Sequence, residues 1–152
     1  MKRPLRLLSA LLLALLLNPL AAEEESLLMM RSSQSFPEAM LAVQKTLGEY
    51  GYTVSRVQRV DIGLTASGFE TDRYRIVFFG KPEEIRHLSG EHPELIPYLP
   101  LKMTIFAEQD ETLLVALDPT ALDDIVDDEA FAQLTMRWKN DIIAIMDELR
   151  EY

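Results

Sequence analysis

The stretch LKMTIFAEQDETLLVAL, residues 101–117, decides the fold. Residues 101–107 and 112–117 are apolar and β-prone, and only Glu108, Gln109, Asp110 and Glu111 lie between them. This pattern predicts an antiparallel hairpin with a four-residue loop. Asp118 and Pro119 end it. Upstream, residues 74–79 place Tyr74, Ile76 and Phe78 on one face and Arg75, Val77 and Phe79 on the other, a third strand rich in β-branched and aromatic residues that stops at Gly80.

Residues 26–32 read as a further strand. Residues 52–64, with Tyr52, Val54, Val57, Val60, Ile62 and Leu64, are long enough for two strands, with Gly63 as a bulge or turn. Helices flank these runs. Ser35, Phe36, Pro37 and Glu38 have the pattern of a capping box, and Phe36, Met40, Val43, Leu47 and Tyr50 follow at helical spacing up to Gly51. Pro82, Glu83 and Glu84 open a short helix expected to run to Leu88. Ser89, Gly90 and Pro93 are expected to break it, with a single turn at Pro93. After a short piece holding Leu122, Ile125 and Val126, Asp127 or Asp128 caps a last helix with a stripe of Phe131, Leu134, Trp138, Ile142, Ile145 and Leu149. The expectation is one α+β domain: an antiparallel sheet of about five or six strands, packed by the first and last helices.

The 152 residues are 48% apolar and 26% charged, as suits one globular domain. Cysteine is absent, which excludes disulfides, thiolate metal sites and a cysteine nucleophile. A net charge of −10 would repel a polyanion, so nucleic acid is not an expected partner. Lys2, Arg3 and Arg6 precede residues 7–17, which are apolar except for Ser9, and Asn18, Pro19, Leu20, Ala21 and Ala22 follow. Basic, apolar and small-residue parts in that order predict an export signal, and the apolar core is well short of the about 20 residues needed to span a bilayer. Cleavage after Ala22 would leave residues 23–152 in the periplasm without a membrane anchor. That removes three bases and no acid, taking the net charge to −13.

The run from Phe36 to Pro119 resembles the bacterial family catalogued as domain of unknown function 302. The matching features are the opening helix, then Gly51, Tyr52 and Val54, then Tyr74 to Phe79 with Gly80, Lys81 and Pro82, then Leu99 and Pro100 before the hairpin, and Asp118 with Pro119 at its end. The resemblance implies a curved antiparallel sheet with helices on one face, similar to the TATA-binding-protein class, without implying DNA binding. It also implies that many relatives carry cysteine where this chain has Gly80 and Leu101. Thiol chemistry proposed for them does not transfer.

Three groupings are candidates for function. His87, His92 and Glu91, with Glu94, are of metal-ligand type, although their spacing matches no known helical site, and a solvated connection is the plainer reading. Arg75, Lys81 and Arg86 flank the Gly80–Pro82 turn and could receive an anion at a helix start; the plainer reading pairs them with Glu83 and Glu84. Tyr74, Phe78, Phe79, Tyr98, Met103, Phe106 and Trp138 could line a pocket between sheet and last helix, or simply fill the core. The acidic run Asp118, Asp123, Asp124, Asp127, Asp128 and Glu129 suits helix starts better than a calcium loop.

No nucleophile elbow, dinucleotide fingerprint or phosphate loop occurs in the sequence. The expected function is a non-catalytic module that binds a small molecule or a protein and uses no cofactor. Because residues 76–79 are apolar on both faces, the sheet's second face needs a cover, and a homodimer through that face is one such cover. The rival expectation is a small metal-dependent enzyme or metal-binding protein using His87 and His92.

Overall fold

The structure is a computed structural model that describes residues 26–150. The signal expected in residues 1–22 lies outside them. Five strands form one antiparallel sheet: β1 (Leu27–Ser32), β2 (Thr53–Arg59), β3 (Tyr74–Gly80), β4 (Leu101–Glu108) and β5 (Glu111–Leu117), in the order β1-β5-β4-β3-β2. Among the described residues four α-helices accompany it: α1 (Phe36–Glu49), α2 (Val60–Ala66), α3 (Pro82–Glu91) and α4 (Glu129–Arg150).

Period-two alternation sends Met30, Val77, Phe79, Leu101, Met103, Ile105, Leu114 and Ala116 to one face, where they meet α1 and α4. Helix α1 presents Phe36, Ala39, Val43 and Leu47; α4 presents Phe131, Trp138, Ile142, Ile145 and Leu149, the stripe expected from its spacing, with Leu134 packed at its margin. The capping box is formed, with the Ser35 N–H donating to Glu38 Oε2 at 3.0 Å. At the other end of α1, Gly51 adopts φ 79°, its N–H donates to Gly48 O, and the Tyr52 N–H donates to Leu47 O. This doubly bonded left-handed stop turns the chain directly into β2. Asp128 caps α4 by accepting from the Phe131 N–H at 2.8 Å.

The structure corrects the sequence reading in three places. Residues 52–64 hold one strand followed by helix α2, because β3 pairs with β2 only as far as Arg59 opposite Arg75; beyond it no ladder partner remains, and the helix satisfies its own backbone groups. Gly63 lies inside α2, and the bulge falls between Val54 and Arg56. Helix α3 continues through Ser89 and Gly90 to Glu91 and stops just before Pro93, whose ring disfavours a helical predecessor. The hairpin is tighter than four residues: Glu108 pairs with Glu111, and Gln109 takes a positive φ of 52° in the turn.

Candidate functional site

Among the described residues, helices cover one face of the sheet, and the alternation that fills the core builds a second, uncovered face. Strand register arranges it in rows. Met29, Val115, Thr104 and Ile76 stand side by side across four strands, and Arg31, Leu113, Phe106 and Tyr74 form the adjacent row. Leu27 opposite Leu117 and Lys102 opposite Phe78 belong to a third. Tyr74 and Phe106 meet edge to face with centroids 5.9 Å apart. The margin nearest β1 is the most open, with Met29 54%, Leu27 45% and Leu117 40% exposed.

Charge sits at the rim of this face. Arg31 holds Glu108, its Nε 2.6 Å from Oε2, reaching across β5. The Lys102 ammonium donates to the Pro97 and Tyr98 carbonyls and lies 6.0 Å from the Phe78 ring centroid. The result is an apolar surface with a polar border, the form taken by interaction surfaces.

The aromatic residues singled out from sequence are therefore divided. Phe79, Met103 and Trp138 are buried under the helices; Tyr74, Phe78 and Phe106 lie on the open face; Tyr98 is exposed in the segment before β4. They line no common pocket. A depression of about 140 Å³ bordered by Tyr98, Lys102, Thr104, Val115 and Leu117 is below the few hundred Å³ of an ordinary ligand cavity.

The three bases around the Gly80–Pro82 turn do not converge either. Arg75 pairs with Asp61 of α2, both side chains 14% exposed, and its hydrogen bond holds the Asp61 carboxyl below the usual carboxylate range. Arg86 pairs with Glu83, and Lys81 lies over the Tyr52 ring with Nζ 5.1 Å from its centroid. At Gly80, a Cβ would stand 2.8 Å from Ile85 Cγ1, so Ile85 fills the space that a side chain there would need.

His87 and His92 also have separate partners. His87 Nε2 is 3.1 Å from Glu91, one turn along α3, whereas His92 Nδ1 is 3.3 Å from Glu94 and its ring faces Phe131. Among the described residues no three histidine, aspartate or glutamate side chains gather as a metal site. The acidic run works locally: Asp118 accepts from the Thr120 N–H and hydroxyl and pairs with Lys139 at 2.6 Å, while Asp123 accepts from Thr135. Burial acts to raise the Asp118 carboxyl, but Lys139 and Thr120 outweigh it and hold the group below its ordinary value.

Sequence reasoning missed one polar cluster. Glu84 at the start of α3 accepts from Arg137 at 2.6 Å and from the Trp138 indole N–H at 3.2 Å, and the Tyr52 hydroxyl donates to Asp141 at 2.6 Å. Arg137 is also 3.6 Å from Asp141, so the cluster straps α3 and the residue just before β2 to α4. Burial, reinforced by the Asp141 acceptor, pushes the Tyr52 phenol far above its ordinary pKa. Tyr52 and Asp141 are 89 residues apart in sequence, and no local spacing announces such a pair.

A five-stranded antiparallel sheet, packed by helices on one side and open on the other, defines a two-layer α+β protein. The chain belongs to the family described as domain of unknown function DUF302, whose pattern matches residues 28–149. It is similar in structure to an uncharacterized conserved DUF302 protein from Bacillus stearothermophilus, with a TM-score of 0.75 and 20% identity over 83% of this chain and 99% of that one. At that identity the likeness carries the fold alone. No curated protein matches the chain.

Proposed function

We propose that this protein is an exported, non-catalytic assembly module whose contact surface is the open face of the sheet. The observation that carries this reading is the continuous row of Met29, Val115, Thr104 and Ile76, left uncovered while the opposite face is filled by helices. A monomer keeps a broad apolar face in water at a cost in solubility, and contact with a partner removes that cost. A flat face rimmed by Arg31 and Lys102 suits a protein surface better than a small molecule, which needs enclosure. Export rests on the three-part leader in residues 1–22.

The test is a photo-reactive amino acid placed at Phe78 or Val115 in producing cells, with Leu41, exposed on the outer side of α1, as control. The expected result is a discrete adduct from the sheet positions and none from Leu41. A product of twice the chain mass would identify the partner as a second copy laid on this face, the homodimer expected from sequence. No adduct from either sheet position would overturn the proposal. Mass spectrometry of the recovered protein checks export: the expected N-terminus is Glu23, and an intact Met1 would contradict it.

A further inference from the structure

The open face carries charge of opposite sign at its two ends. At one end Lys102 and Arg56 stand on either side of Phe78, on the strands that flank β3. Lys102 donates to the Pro97 and Tyr98 carbonyls and Arg56 is exposed; among the described residues neither has a carboxylate partner. The hairpin end is the reverse. Glu108 and Glu111 are opposite each other there, with Arg31 as the base beside them. Arg31 is committed to Glu108, which leaves the charge of the exposed Glu111 in excess. The run of β4 from Lys102 to Glu108 separates the two ends by about 20 Å.

A surface with opposite charge at its two ends complements itself when turned end for end, and self-complementarity is what a two-fold contact between identical chains requires. Sheets packed face to face keep their strands within about 30° of alignment. A two-fold axis running along the strands would lay Lys102 end on Lys102 end and glutamate on glutamate. An axis running across the strands reverses the second sheet, and each basic end then meets an acidic one.

Resting on the proposal that the open face is the contact surface, we infer that its occupant is a second copy of this chain, laid on it with strands reversed so that Lys102 of each copy meets the Glu108 and Glu111 end of the other. The axis then crosses β4 between Thr104 and Phe106. Val115 falls on Leu113 of the second copy, Thr104 on Phe106 and Ile76 on Tyr74, so the two apolar rows cover each other. Glu111 comes over Leu117 of the second copy, one strand from its Lys102; at a sheet separation of about 10 Å the two long side chains span the gap. The apolar rows supply burial, and the end charges fix the direction. As whole bodies of net charge −10 the copies repel, but that field is screened beyond about 8 Å at physiological salt, whereas the end contacts are direct.

The test exchanges charge between the ends. By light scattering, the protein purified from producing cells should be dimeric at tens of micromolar. Lys102→Glu sets acid against acid at both contacts and Glu111→Lys sets base against base, so each variant alone should self-associate more weakly by about tenfold or more. Glu111→Lys leaves the pair of Arg31 and Glu108 in place. Mixed together, the two variants should form a dimer with one copy of each, because the introduced glutamate meets the introduced lysine at one contact and the other contact keeps its original pair. With one variant labelled with heavy nitrogen, native mass spectrometry reads the mixed dimer directly, and its formation shows that both variants are folded. A monomeric unmodified protein, single variants that dimerise undiminished, or no mixed dimer between variants with the parent's thermal melt would each overturn the inference. A Phe78 photo-adduct of mass other than twice the chain would also overturn it while upholding the face as a contact surface; absence of any adduct from Phe78 and Val115 would overturn that reading itself.

Discussion

The Tyr52 hydroxyl donates to Asp141 Oδ2 at 2.6 Å, tying the residue that follows the Gly51 turn to the middle of helix α4. An unfolded phenol ionises near about pH 10. Burial first, and then Asp141 as acceptor and charge, raise the folded value far above that. A group raised on folding contributes fully below its unfolded pKa and loses that contribution as pH climbs past it. Stability measured by denaturant titration should therefore fall above pH about 10, with this one group supplying up to about 1.4 kcal/mol per pH unit. Tyr52→Phe should remove that share of the slope. Identical slopes in the two proteins would refute the assignment.

Glu84 and Arg137 should be energetically coupled, though modestly, because their side chains remain 29% and 35% exposed. A double-mutant cycle with Glu84→Ala and Arg137→Ala is expected to give about 0.5–1 kcal/mol of interaction. Trp138 fluorescence should shift in Glu84→Ala, which loses the indole acceptor, more than in Arg137→Ala.

Two glycines should respond in opposite directions. Gly63 lies within α2, and nothing stands within 4 Å of the place an alanine Cβ would take, so Gly63→Ala should stabilise by about 0.5–1 kcal/mol. Gly51, held at φ 79°, should lose about 1–2 kcal/mol on conversion to alanine. Thermal melts of the pair check both the helical stop and the correction to residues 60–66; destabilisation by Gly63→Ala would argue that this segment is extended.

The structure legible in the sequence is that of short range. The β3 alternation, the hairpin and the α4 stripe are all periodic, and period translates directly into the face a residue occupies. Residues 60–66 mislead because Val60, Ile62 and Leu64 also alternate; whether they pair depends on where β3 begins, which no local pattern records. Ser89 and Gly90 are weak helix formers, yet α3 passes through them because Pro93, farther along, sets its end. The aromatic residues stand out in the sequence as a group, but their division between two faces requires knowing which parity meets the helices. The strap from Glu84 to Trp138 and from Tyr52 to Asp141 is a tertiary meeting of distant segments.

The two faces of the sheet should differ in their response to truncation. Met103→Ala empties the sealed core and should cost about 2–5 kcal/mol. Ile76→Ala, on the open face, should cost about 1 kcal/mol or less, since a partly exposed side chain has less burial to lose. Denaturant midpoints of the two variants at equal concentration make the comparison.

The most direct test places the photo-reactive residue at Phe78 in a chain that also carries Val115→Lys. Both positions lie on the open face, on different strands, so the lysine alters the surface without touching the reporter. The adduct should disappear while the thermal melt stays within a few degrees of the parent. An undiminished adduct of unchanged mass from the folded variant would contradict the open face as the surface through which this protein works.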